Sequence, residues 1–143
     1  MKCVLDTGVY LQAMRSDSGR VAFEQRFLPL LFCTSVSGVV AEELYAGAMD
    51  DLAIRLVDGY IGALRKAGRV ITPTFDDWTA AGKLIARIAR NEPGLKSKAQ
   101  LLLNDVLIAL CARRLGATLF TFNRDDFELI RRYRPFTLEV LKP

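Results

Sequence analysis

The sequence predicts an α/β fold, a mainly parallel sheet with helices on both faces. Three observations predict it. Short apolar runs of strand length alternate with longer stretches of helical periodicity. Turn and cap residues separate most of them. Two acids, Asp6 and Asp126, fall just beyond strand-like runs, where an open parallel sheet holds its site.

Lys2–Asp6 reads as a short buried strand, followed by a helical turn over Gly8–Met14. Ser16-Asp17-Ser18-Gly19 is a turn or cap, and Arg20–Leu30 reads as a helix. Phe32–Val36 is the second strand, and Ser37 can cap a helix over Gly38–Ala48. Asp50 or Asp51 caps the next helix, which runs to about Lys66 and stops before Gly68. Arg69–Thr72 is the third strand, ended by Pro73. Thr74–Asn91 is a helix broken by Pro93-Gly94, and Ser97–Leu115 is a strongly apolar helix ended by Gly116. Ala117–Phe122 is the fourth strand, Arg124–Tyr133 a short helix, and Phe136–Leu141 the last strand. No repeat, linker or low-complexity tract divides the chain, so residues 1–143 are expected to form one domain.

The chain has no histidine, and its three cysteines, Cys3, Cys33 and Cys111, stand far apart. Zinc held by sulfur and imidazole is therefore not expected. Each cysteine lies in an apolar run, which suits buried free thiols in a reducing cytoplasm. The longest uncharged stretch, Phe27–Ala41, contains Pro29, Thr34, Ser35 and Ser37 and is too short and polar to span a bilayer. The N-terminus lacks the apolar core of a signal peptide. Net charge is +4 and the pI about 9.1. An acidic pocket in such a basic surround suits a polyanion, although mild basicity alone is common.

Four acids stand out. Asp6 ends the first strand, where it could be a helix N-cap or a site acid. Glu43 shares a stripe with Val40, Leu44 and Gly47, while Glu42 points roughly 100° away. Glu43 thus needs a partner, which could be an arginine or a cation. Between Leu101 and Leu110 only Asn104 and Asp105 are polar, so Asp105 sits in a helix apolar nearly all round. An unpaired carboxylate there would be costly. Asp125 and Asp126 follow the fourth strand, and one of them could cap the next helix. Thr121 and Asn123 supply short polar groups at the same place, able to hold water or a substrate oxygen. Gathered together, four carboxylates cannot all stay ionised without a cation. Oxygen ligands without histidine suit Mg²⁺, with Mn²⁺ as a substitute, and metal-assisted chemistry on phosphate.

At these residues the chain resembles PIN domains, specifically the VapC-type ribonuclease toxins of bacterial toxin–antitoxin pairs. The resemblance lies in Leu5-Asp6-Thr7-Gly8-Val9, Glu43-Leu44-Tyr45-Ala46-Gly47, Asn104-Asp105-Val106-Leu107-Ile108-Ala109 and the stretch Gly116–Phe127, in that order. It implies a five-stranded sheet in the order 3-2-1-4-5. It implies an acidic pocket of Asp6, Glu43, Asp105 and Asp126 binding Mg²⁺ or Mn²⁺, supported by Thr7, Thr121 and Asn123. The implied activity is hydrolysis of RNA phosphodiesters by a metal-activated water. The implied partners are RNA, a second copy of the chain in a homodimer, and a cognate antitoxin whose tail occupies the groove. Gly8 departs from the pattern, since many members carry Asn or Ser there, and Asp125 beside Asp126 leaves two choices for the fourth acid.

Without histidine, protons must move through water. Arg15, Arg20, Lys96 and Lys98 are candidates to hold an RNA backbone, or are simply a solvated surface. An aspartyl-phosphate phosphatase would want a second acid two residues after Asp6, where Gly8 stands. A PIN-like domain that binds RNA or protein without cutting is the alternative, and loss of one of the four acids would favour it. Surplus apolar residues on Asp51–Lys66 and Thr74–Asn91 (Leu52, Ile54, Leu56, Tyr60, Ile61, Trp78, Leu84, Ile85, Ile88) are expected to serve an interface.

Overall fold

The computed structural model describes residues 1–143. Five strands form one sheet, all neighbours parallel, in the order β3-β2-β1-β4-β5. They are β1 (Cys3–Leu5), β2 (Thr34–Ser37), β3 (Val70–Ile71), β4 (Thr118–Thr121) and β5 (Thr137–Val140). Seven helices connect them: α1 (Thr7–Arg15), α2 (Asp17–Phe27), α3 (Gly38–Ala46), α4 (Asp51–Lys66), α5 (Phe75–Asn91), α6 (Leu103–Leu115) and α7 (Arg124–Tyr133). The predicted α/β class, strand number and strand order are all present.

The central strand is the most buried. Cys3, Val4 and Leu5 are wholly inaccessible, as befits a parallel strand covered on both faces. Leu5 registers against Phe120, and the Asp6 N–H donates to the Phe120 carbonyl at 2.9 Å. From β1 the chain first builds β2 and β3 on one side, then returns to place β4 and β5 on the other. The β1/β4 boundary is thus a topological switch point, and a crevice opens there beyond the carboxyl ends of the strands.

Several predicted boundaries move. Helix α2 starts at Asp17, three residues before the predicted Arg20, because the Ser16 hydroxyl accepts from the Gly19 N–H and caps it there. Helix α2 stops at Phe27 rather than Leu30, because Pro29 has no N–H with which to continue the ladder. Leu28–Cys33 winds instead into a 3₁₀ segment, so β2 begins at Thr34 and not at Phe32. Helix α3 ends at Ala46 rather than Ala48. The predicted helix Ser97–Leu115 is α-helical only from Leu103; Ala99–Leu102 is a 3₁₀ turn. Ser37, Asp50 and the Thr74–Asp77 capping box hold the N-termini of α3, α4 and α5. Gly116, at φ 70°, closes α6 in the left-handed conformation that glycine adopts without strain.

The core is one cluster of 31 buried residues spanning the sheet and helices. Helix α6 is its centre: every residue from Val106 to Ala112 is buried. Leu84, Ile85 and Ile88 of α5 also belong to it and so do not form the expected surplus. Leu52, Ile54 and Leu56 of α4 and Trp78 of α5 do face solvent, while Tyr60 and Ile61 are partly buried. Cys3 and Cys111 are buried as expected, but Cys33 is only half-buried, at the end of the 3₁₀ segment. No helix is long and apolar enough to cross a membrane.

Candidate functional site

The switch-point crevice is where the sequence-predicted acids come together. Asp6 follows β1 and is the N-cap of α1: its backbone is extended, and its Oδ1 accepts from the Thr7 N–H at 2.8 Å. The cap and the site acid are therefore one residue. Its Oδ2 accepts from the Thr121 hydroxyl at 2.7 Å. Thr121 is wholly buried at the end of β4, and its Oγ1 also accepts from the Asn123 N–H at 2.9 Å. Thr121 thus ties the two central strand ends together across the crevice.

Glu43 enters from α3, part-buried as its stripe requires, while Glu42 is exposed. The Thr7 hydroxyl donates to Glu43 Oε1 at 2.6 Å, and Asn104 Nδ2 donates to Oε2 at 3.3 Å. Glu43 pairs with no arginine. Asn104 is a positioning residue to which the sequence reading gave no role. Its signal was its place beside Asp105 in an otherwise apolar run.

Asp105 stands in the first turn of α6. Asn123 Nδ2 donates to Asp105 Oδ2 at 3.4 Å and to Asp126 Oδ2 at 3.1 Å, so one amide spans two acids. The Asn123 oxygen also accepts from the Asp126 N–H and caps α7. Neither Asp125 nor Asp126 is that cap, and Asp125 is exposed.

The electrostatics follow from the crowding. Asp105 is pushed from its ordinary value of 3.8 up to about 7, first by burial, then by the charges of Asp6, Asp126 and Glu43, and by its hydrogen bond with Asp126. Asp6 is also raised by burial and by Glu43, against the hydrogen bonds from Thr121 and Thr7 that hold it down. All four acids thus belong to one electrostatic unit. No three of them stand close enough together to form a ready-made ligand shell. The donor set nonetheless suits a hard cation such as Mg²⁺, which keeps several of its waters and needs only one or two direct carboxylates. The mutual repulsion is what such a cation would relieve.

A family model described as PIN domain matches residues 3–133. The chain belongs to the PIN domain family. Among solved structures, this PIN domain is similar to VapBC2 from Rickettsia felis bound to a DNA fragment from their promoter: 22% identity, 99% of this chain and 100% of that one, TM-score 0.67. It is similar to DNA-bound VapBC from Salmonella typhimurium, at 23% identity, 98% of each chain and a TM-score of 0.68. It is also similar to FitAB bound to a DNA fragment, at 16% identity, 99% of this chain and 98% of that one, TM-score 0.65. At these identities the likeness is one of fold. No curated protein matches the chain in sequence.

The cations proposed from the sequence to hold RNA differ in freedom. Arg20 is engaged on the surface with Asp17 and Glu24. Arg15 is exposed and makes no ion pair, and Lys96 and Lys98 are exposed on the turns that precede α6.

Proposed function

We propose that this PIN domain is a divalent-metal-dependent endoribonuclease, the toxin of a VapC-type toxin–antitoxin pair, with Asp6, Glu43, Asp105 and Asp126 as its catalytic and metal-holding acids. The observation that carries the reading is the position of Asp105: a carboxyl raised to about 7, first by burial and then by three other acids, at a topological switch point. A structural acid would have been given an arginine, and this one has only Asn123 and its fellow carboxylates.

Mg²⁺ or Mn²⁺, when bound, supplies charge neutralisation at the phosphate and activation of a water. The chain's own residues do the positioning. Thr7 and Thr121 each fix one oxygen of Asp6 and leave its remaining lone pairs facing the crevice. Thr7 and Asn104 clamp both oxygens of Glu43, and Asn123 keeps Asp105 and Asp126 at a set spacing. Asp105, raised to about 7 by burial and its neighbours, would give up its proton in favour of a cation held by these acids. With no histidine in the chain, the remaining proton transfers fall to water. Arg15, Lys96 and Lys98 suit the RNA backbone.

The exposed apolar residues Leu52, Leu56 and Trp78 suit the interfaces a homodimer and an antitoxin require. An antitoxin's basic side chain would be drawn to the four acids for the same reason as a metal ion.

The test is cleavage of single-stranded RNA by the purified protein. Cutting that needs Mg²⁺ or Mn²⁺, stops in EDTA and is lost in Asp105→Asn is the expected result. RNA bound but never cut would replace this reading with that of a non-cleaving binding domain.

A further inference from the structure

A hollow lies beside the acid crevice. Its volume is about 640 Å³, and its walls include Gly8, Gln12, Arg15, Ser18 and Phe122. That volume is within the usual range for small-ligand sites. We infer that it is a nucleobase subsite, in which single-stranded RNA lays the base next to the cleaved phosphate against Phe122, within reach of Gln12 and Arg15. The inference rests on the nuclease reading and names where that enzyme reads its substrate.

Position supports it first. Gly8 follows Thr7, which holds both Asp6 and Glu43. Phe122 lies between Thr121, which holds Asp6, and Asn123, which holds Asp105 and Asp126. An occupant of the hollow is thus one residue away from the groups that fix all four acids. Chemistry supports it next. Phe122 is part-exposed, and an aromatic face stacks any base. Gln12 has an amide able to donate to and accept from a base edge. Arg15 forms no ion pair, and no Asp or Glu side chain lines the hollow, whose rim also includes Pro143, so a phosphate there finds a free guanidinium.

The hollow is also preformed by two glycines. A Cβ at Gly19 would fall 2.1 Å from the Gln12 carbonyl oxygen, so only glycine lets α2 turn so tightly against α1. The Ser16 hydroxyl then accepts from the Gly19 N–H at 3.0 Å and fixes that corner. At Gly8 a Cβ would meet Phe122 Cδ2 at 3.9 Å, an ordinary contact. A longer side chain there would lie over the ring and fill the stacking position. The absence of a side chain at Gly8 leaves that side of the ring uncovered.

The experiment uses the full chain and a pool of randomised single-stranded RNA, with cleavage ends sequenced in Mg²⁺. Gln12→Leu is expected to change or flatten the base preference at one position beside the cut and leave the other positions alone. Gly8→Leu is expected to lower kcat/KM about ten-fold, the worth of a lost stacking contact. Its melting temperature should hold or rise, since leucine favours a helix more than glycine. Phe122→Leu in the inactive Asp105→Asn background should weaken binding of a short single-stranded RNA by about ten-fold. Folded Gln12→Leu and Gly8→Leu proteins with unchanged base profile and affinity would overturn the inference. So would a Gly8→Leu protein that loses a polypeptide partner while cutting RNA normally. Should the native chain cut no RNA, the nuclease reading falls. The binding arm then decides the subsite alone: RNA affinity that drops in Gly8→Leu and Phe122→Leu upholds it, and affinity indifferent to both overturns it.

Discussion

Replacing Asp105 by asparagine removes a carboxylate that burial first, and three neighbouring charges second, disfavour, and almost no volume. The carboxyl titrates at about 7 in the folded chain against an ordinary 3.8. A group whose folded value lies above its unfolded one stabilises fully below the unfolded value, and that stability is lost as pH rises through the folded value. The cost to the metal-free native protein therefore begins near pH 4, grows by about 1.4 kcal/mol per pH unit, and levels off above about pH 7. Fully developed it amounts to about 4 kcal/mol; with Asp6, Asp126 and Glu43 sharing the repulsion, we expect Asp105→Asn to gain about 2–4 kcal/mol at pH 8. The introduced amide can still accept from Asn123 and donate to Asp126, so little is lost in exchange. For a chain of this size the gain is about 10 °C in Tm. Thermal melts in EDTA at pH 5 and pH 8 measure it. The variant should be the more stable at pH 8, with a smaller advantage at pH 5, and Mg²⁺ should narrow the gap by stabilising the native chain alone. A variant that melts lower at both pH values, or an advantage indifferent to pH, would show that Asp105 serves a structural pair and that the repulsion is not there.

Thr121→Val should cost about 1–3 kcal/mol, because it takes the partner from the buried Asp6 Oδ2 and from the Asn123 N–H. A chemical denaturation midpoint equal to that of the native chain would contradict it. Gly19→Ala should destabilise by roughly 2–4 kcal/mol, since its Cβ overlaps the Gln12 carbonyl and backbone must move; the same melts show it. Glu43→Gln should keep the fold and weaken Mg²⁺ binding by calorimetry, and unchanged affinity would remove Glu43 from the cation's reach. Sedimentation at micromolar concentration should show a dimer that Leu56→Glu or Trp78→Glu weakens, and a native chain that runs as a monomer would leave those exposed residues without that role.

Much of this fold could be read along the chain, because its determinants are local. Strand and helix alternation, the caps at Ser37 and Asp50, and the stop at Gly116 depend on a few neighbouring residues each. The span Arg124–Tyr133 agrees end to end for that reason. The four acids were conspicuous because each broke an apolar pattern or closed a strand. Tertiary structure decided the rest. Thr121 reaches Asp6 across 115 positions, and Asn104 reaches Glu43 across 61. No periodicity carries such distances; only the return of the chain to the far side of β1 creates them. Packing also decided that Leu84 is core while Leu52, on a neighbouring helix, faces water. The same holds for the rise of Asp105 to about 7, since burial and the field of three remote carboxylates exist only once the crevice has closed around them.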